Sequence, residues 1–208
     1  MTLQLRYHPL SSYSRKVSIG MDLRGDKVTR QTVNALEGEL RRPEFRTLNP
    51  FGKMPVLETD EGSIYESTSI LEWLEARGPR RLIPQGQEWR ARHFDRLGDL
   101  YLMDPLGKYF WDKSDEVRNN AETRTGQAWG VWTEALSDGR PFICGDEITL
   151  ADLSAAVAAQ IAETEGVSMP DAIRKYQARL EAHPAVKTAR DASLPFVEAT
   201  KPMRVKKP

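Results

Sequence analysis

The sequence predicts an α/β unit over residues 1–78, a linker over 79–87 and an all-helical unit over 88–208. Three observations predict this division. Before residue 80, short segments of period-2 apolar alternation mix with helical ones. "RGPRRLIPQGQ", from Arg77 to Gln87, has the proline and glycine content of a connector. Beyond it, nearly every stretch repeats its apolar residues at helical spacing. A chain of 208 residues is long enough for one large domain or two small ones.

The first half reads element by element. "LQLRYH" places Leu3, Leu5 and Tyr7 on one face of a strand, and "SRKVSIGMDLRG" forms a helix through Val17, Met21 and Leu23 that ends at Gly25. "KVTRQTV" is the second strand, and a helix between two such strands makes a parallel pair. An irregular segment leads to Pro55, which lacks an N–H and so suits a strand start. Val56 and Leu57 then turn at Asp60-Glu61-Gly62 into Ile64 and Tyr65, a hairpin. In "TSILEWLEARG" the residues Ile70, Leu71 and Leu74 form a helix closed by Gly78, with Ser67 placed to cap it.

In the second half, Trp89, Phe94, Leu97 and Tyr101 outline a first long helix, kinked or ended near Pro105. "EVRNNAETRTGQAWGVWTEALSDG" outlines a second, with Trp129, Trp132 and Leu136 on its buried stripe. "TLADLSAAVAAQIAETEG" is the most apolar helix and is expected at the centre. Thr149 with Asp152 resembles a capping box, and Ile148 against Leu153 a hydrophobic staple. "MPDAIRKYQARLEAHP" adds a helix through Ile173, Tyr176 and Leu180. The five tryptophans are expected in the helical core, and the basic tail "KPMRVKKP" is expected to be loose.

Composition narrows the function. Lys+Arg and Asp+Glu are both 30, so the formal net charge is zero and no overall field favours nucleic acid or anionic membranes. Neither a secretory signal nor a membrane-spanning apolar run is evident, so a cytoplasmic setting is expected. Cys144, the single cysteine, excludes an internal disulfide and a CxxC redox pair, and beside Phe142 and Ile143 it reads as a buried structural thiol. His8, His93 and His183 lack ligand-like spacing, so no metal site is expected. No phosphate-binding glycine loop or dinucleotide fingerprint is present.

Taken in order, "SSYSRKV", "NPFGKMPVL", "YESTSILEWL" and "FICGDEITLADL" resemble the cytosolic glutathione transferase family, in its serine-type bacterial, theta, delta and zeta-like branches. The resemblance covers nearly the whole chain. It implies a thioredoxin-like N-terminal domain that binds glutathione, an all-α C-terminal domain that contributes a pocket for a small hydrophobic electrophile, and a homodimer. It also implies that the Met54–Pro55 bond is cis, turning the Met54 backbone toward the extended tripeptide.

Candidate site residues follow from the matched motifs. Glu66 and Ser67 would take the ammonium and carboxylate of the γ-glutamyl end, or Ser67 would simply cap its helix. Lys53 would pair with the glycyl carboxylate, or remain a solvated charge. The glutathione thiol, with a free pKa of about 8.5, must be held as thiolate to act as nucleophile. Counting back from Arg15-Lys16-Val17 favours Ser11 as the activating hydroxyl, with Ser12 second and Tyr13 a further donor. The alternative is that these serines only turn and cap the chain. Leu10, Leu102, Leu106 and Trp111 are the candidates for the electrophile pocket. A double-serine echo of the maleylacetoacetate isomerase branch leaves a glutathione-dependent isomerase open, and a non-catalytic scaffold stands as the third reading.

Overall fold

The computed structural model describes residues 3–78 and 82–204. The chain divides into two compact units, Met1–Arg81 and Leu82–Pro208. Residues 79–81 of the expected linker, and 205–208 of the expected loose tail, lie outside the described residues.

The first unit is a four-stranded mixed sheet with helices, the thioredoxin-like arrangement. Strands β1 (Gln4–Tyr7) and β2 (Thr29–Thr32) pair in parallel across helix α1 (Ser12–Arg24). β1 also pairs antiparallel with β3 (Val56–Thr59), which forms a hairpin with β4 (Gly62–Tyr65), giving the order β2-β1-β3-β4. Helix α3 (Ser67–Glu75) follows β4 and packs against α1. Successive residues of β3 serve opposite faces, as the strand period requires. Val56 joins Val33 and Phe45 in one cluster, while Leu57 is the cross-strand partner of Leu5 on the other face.

Between β2 and β3 the segment expected to be irregular contains a 3₁₀ turn, Glu39–Arg41, and a short helix α2 (Pro43–Leu48). Pro43 sits in the first turn, where a missing N–H is harmless, and Phe45 supplies the buried anchor. Gly78 does not end α3 by a left-handed cap. A Cβ there would lie 2.0 Å from the Arg24 guanidinium, so glycine makes room for that side chain.

The second unit is all helical. Helix α4 (Glu88–Leu97) runs into a π-helical segment, Gly98–Met103, and on into α5 (Asp104–Trp111), so the path passes Pro105 through a wider turn. Its inward face is Ala91, Phe94, Asp95 and Gly98. The expected stripe through Trp89 and Tyr101 is therefore corrected: these two are 68% and 42% exposed. Gly98 sets this phase, because a Cβ there would meet Ser154 Cβ of the central helix at 2.6 Å.

Helix α6 (Asp115–Ala135) buries Trp129 and Trp132 completely, whereas Trp73 belongs to α3 and Trp89 and Trp111 are exposed. Only two of the five tryptophans fill the helical core. Helix α7 (Leu150–Glu165) is central, with every residue from Leu150 to Ala162 buried. Its capping box is formed by Thr149 and Asp152. α8 (Asp171–Glu181) buries Ile173, Tyr176 and Leu180.

A helix absent from the sequence reading, α9 (Pro184–Thr200), follows, with His183 Nδ1 accepting from the Ala185 N–H at 3.2 Å. The tail is not loose through Arg204, whose guanidinium pairs with Glu165 at 2.7 Å and lies 3.7 Å over the Phe110 ring. Cys144 is buried and free, and burial pushes its thiol pKa up.

Candidate functional site

Strand register brings three chain segments to one end of the first unit's sheet. Arg6 of β1 lies opposite Val56 of β3, and Val56 lies opposite Tyr65 of β4, so these residues form one row. The chain leaves β1 just beyond that row through His8–Ser11, enters β3 through Lys53–Pro55 and leaves β4 through Glu66–Ser67. Helices α1 and α3 both start here. Their free N–H groups and positive dipole ends are thus at the same end of the sheet.

At the start of α1, Ser11 occupies the N-cap with extended backbone. Its Oγ accepts from the Ser14 N–H at 3.3 Å, its N–H donates to the His8 carbonyl at 3.0 Å, and its own carbonyl accepts from the Arg15 N–H at 2.9 Å. A hydroxyl that accepts in this way keeps its proton for another partner. Ser12 is the first residue of the helix and half-buried, as Ser11 and Tyr13 are. The loop before them is braced by His8, whose Nδ1 accepts from the Leu10 N–H at 3.0 Å and whose N–H donates to Ser14 Oγ at 3.4 Å. Partial burial pushes the His8 pKa down, favouring the neutral ring that this contact needs.

The Met54–Pro55 peptide is cis. Pro55 is buried and Met54 half-buried, one step outside the β-ladder that begins at Val56. The approach is organised by Asn49, a residue that motif reading passed over. Its Nδ2 donates to the Lys53 carbonyl at 2.8 Å, and its Oδ1 accepts from the Phe51 N–H at 3.0 Å. The Asn-Pro dipeptide is a turn signal that could have found it. The Lys53 side chain is exposed.

At the start of α3 the simple capping reading of Ser67 fails. Ser67 is the first residue inside the helix and buried, and Glu66 holds the N-cap position without a side-chain cap bond. Glu66 has φ 71° and ψ 123°, the single positive φ among the described non-glycine residues. Such backbone costs about 1–3 kcal/mol and persists only where the surroundings enforce it.

The four residues expected around an electrophile differ in exposure. Leu10 is half-buried in the first unit. In the second, Leu102 and Leu106 are fully buried in the core, whereas Trp111 is exposed and meets Phe110 edge-to-face at 5.0 Å between ring centroids. Among the described residues no group of three or more metal-ligating side chains is assembled, and no helix is long and apolar enough to cross a membrane.

One sheet end therefore offers two helix N-termini for anionic groups, the Met54 backbone one step outside the β-ladder and a hydroxyl with a proton to donate. Comparison with known proteins matches residues 5–82 to the family described as glutathione S-transferase, N-terminal domain, and residues 101–191 to glutathione S-transferase, C-terminal domain. The chain is 30% identical over 216 residues to a maleylacetoacetate isomerase of Pseudomonas aeruginosa, spanning 96% of this chain and 100% of that protein. It is 27% identical over 173 residues to glutathione S-transferase 2 of Saccharomyces cerevisiae, 74% of each. Among solved structures, a diazinon-metabolizing glutathione S-transferase of the silkworm Bombyx mori superposes with TM-score 0.84 at 15% identity, covering 95% of this chain and 100% of that one, a likeness of fold.

Proposed function

This chain belongs to the cytosolic glutathione S-transferase family, and we propose that it binds glutathione in its first domain and transfers the sulfur to a small hydrophobic electrophile. The observation that carries the reading is the convergence of Ser11, Met54–Pro55 and Ser67 at one sheet end. The γ-glutamyl carboxylate meets the α3 N-terminus and the Ser67 hydroxyl, and Glu66 takes the ammonium. The cysteinyl unit pairs with the Met54 backbone, and Lys53 serves the glycyl carboxylate. Ser11 Oγ donates its proton to the sulfur while its lone pair keeps the helix cap. Together with the α1 dipole this favours the thiolate, and Ser12 is the second-choice donor.

The thiolate then forms a carbon–sulfur bond to the electrophile. A leaving group departs with the bonding pair, or a conjugated acceptor takes the negative charge and is protonated. Within the helical unit the candidate electrophile surface is the exposed Trp111, whereas Leu102 and Leu106 are buried in that unit's core. The protein acts in the cytoplasm as a homodimer, for which sedimentation at high concentration is the check.

Glutathione binding by calorimetry tests the reading, on wild type, Ser11→Ala and Ser67→Ala. Wild type binds; Ser67→Ala binds more weakly; Ser11→Ala binds nearly normally but loses the ultraviolet thiolate signal of the bound tripeptide. A wild type that does not bind would leave a scaffold protein. The full-length similarity to a maleylacetoacetate isomerase supports a second reading. In it the thiolate adds to a cis-diene diacid, the former double bond rotates, and elimination returns glutathione. Turnover of such a diacid without consumption of glutathione, and none of generic electrophiles, would select it.

A further inference from the structure

Lys16 has no exposed surface, although its side chain ends in an ammonium. Its Nζ donates to Thr68 Oγ1 at 3.0 Å, across 52 residues of sequence. Taking a charge out of water is costly, and a methionine would pack the same volume without that cost. The position suggests what the charge does. Lys16 lies four residues after Ser12, on the same face of α1. Thr68 immediately follows Ser67 in the first turn of α3. A cation therefore sits beside two positive helix ends, an arrangement that favours an incoming anion.

Lys16 is not needed merely to keep the helices together. At the far end of the pair, Arg24 of α1 donates to the Leu74 carbonyl at 2.7 Å and pairs with Glu75 at 2.5 Å. The α1–α3 pair is thus clamped at both ends, and the Lys16 clamp is the one of these two that lies beside Ser67. We infer that Lys16 is a positioning residue of the glutathione site: it ties the first turn of α3 to α1 and supplies the positive potential under the bound carboxylate and thiolate. The inference rests on the glutathione reading given above and assigns Lys16 no contact with the ligand.

Lys16→Met and Thr68→Val in the full chain test it, using glutathione as the probe. Three quantities are read: affinity by calorimetry, the apparent thiol pKa of bound glutathione by ultraviolet titration, and the melting temperature. Lys16→Met is expected to weaken binding about tenfold and to raise the bound thiol pKa by about one unit. Thr68→Val keeps the charge and loses the tie; it is expected to weaken binding about threefold with the thiol pKa unchanged. A Lys16→Met protein that melts lower but keeps wild-type affinity and thiol pKa would overturn the inference. If Lys16→Met does not fold, wild-type affinity in Thr68→Val overturns it instead. Failure of wild type to bind glutathione is a different result, which removes the functional reading itself.

Discussion

The helices α3 and α7 begin in opposite ways. At α7 the chain completes its own N-terminus. Asp152 accepts from the Thr149 N–H and hydroxyl, both at 2.8 Å, from the Ile143 N–H at 2.9 Å and from the Tyr176 hydroxyl at 2.5 Å. The carboxyl is wholly buried, so desolvation raises its pKa while these donors oppose the rise. At α3 the N-cap residue Glu66 makes no side-chain cap bond and is held at positive φ, and the buried Lys16 of α1 donates to Thr68 in the first turn. A helix start whose donors are met by its own side chains is a structural device. The α3 start, tied by a cation from another helix and preceded by a strained Glu66, is the one to which the proposed function assigns a ligand, at Glu66-Ser67.

That contrast can be broken at several points. Asp152→Ala should produce the largest effect, about 3–5 kcal/mol lost in urea unfolding, because it strands two buried N–H groups and two hydroxyls; a loss under 1 kcal/mol would mean the α7 start is not a structural centre. Ser67→Ala should cost about 1.5–3 kcal/mol in glutathione affinity while leaving the urea midpoint nearly unchanged, since Ser67 is not the cap. The reverse pattern, stability lost and affinity kept, would return Ser67 to a capping role. Glu66→Gly should stabilise the free protein by about 1 kcal/mol, by relieving the positive φ, and weaken glutathione binding. An unaltered midpoint would show that Glu66 stores no strain.

The smallest effect concerns pH. The His8 pKa is lowered in the folded state by burial, so the unfolded chain binds the proton more readily. Its contribution to stability is present above the ordinary histidine pKa, near 6.5, and is lost as pH falls below it. His8→Asn keeps an acceptor for the Leu10 N–H without titrating, and should flatten that acid-side decline in melting temperature. An equal decline in the variant would place the effect elsewhere.

Much of the fold was readable because its signals are local. The Thr149/Asp152 box, the Gly25 terminus of α1, the hairpin around Asp60-Glu61-Gly62 and the alternation of β1 each depend on residues within a few positions of one another. The misreadings have non-local causes. Trp89 and Tyr101 were placed on the buried face of the first helix of the second unit because they are large and apolar, yet the phase is set by the approach of Ser154 to Gly98. Helix α9, absent from the sequence reading, carries Pro184 in its initial turn, where the missing N–H is harmless, and Pro195 within it.

By itself, the sequence determined the order and type of most elements, the self-capped start of α7 and the short list of segments from which a site could be built. Only the tertiary structure decided that those segments share one sheet end, that Ser67 lies inside its helix with Glu66 strained before it, and that Lys16 reaches Thr68. The reason is physical. Caps, turns and periodicity follow from hydrogen bonds and side-chain spacing within a few residues, and so does the hairpin pair Val56–Tyr65, whereas the Arg6–Val56 pairing that completes the row joins strands distant in sequence, which no local pattern encodes.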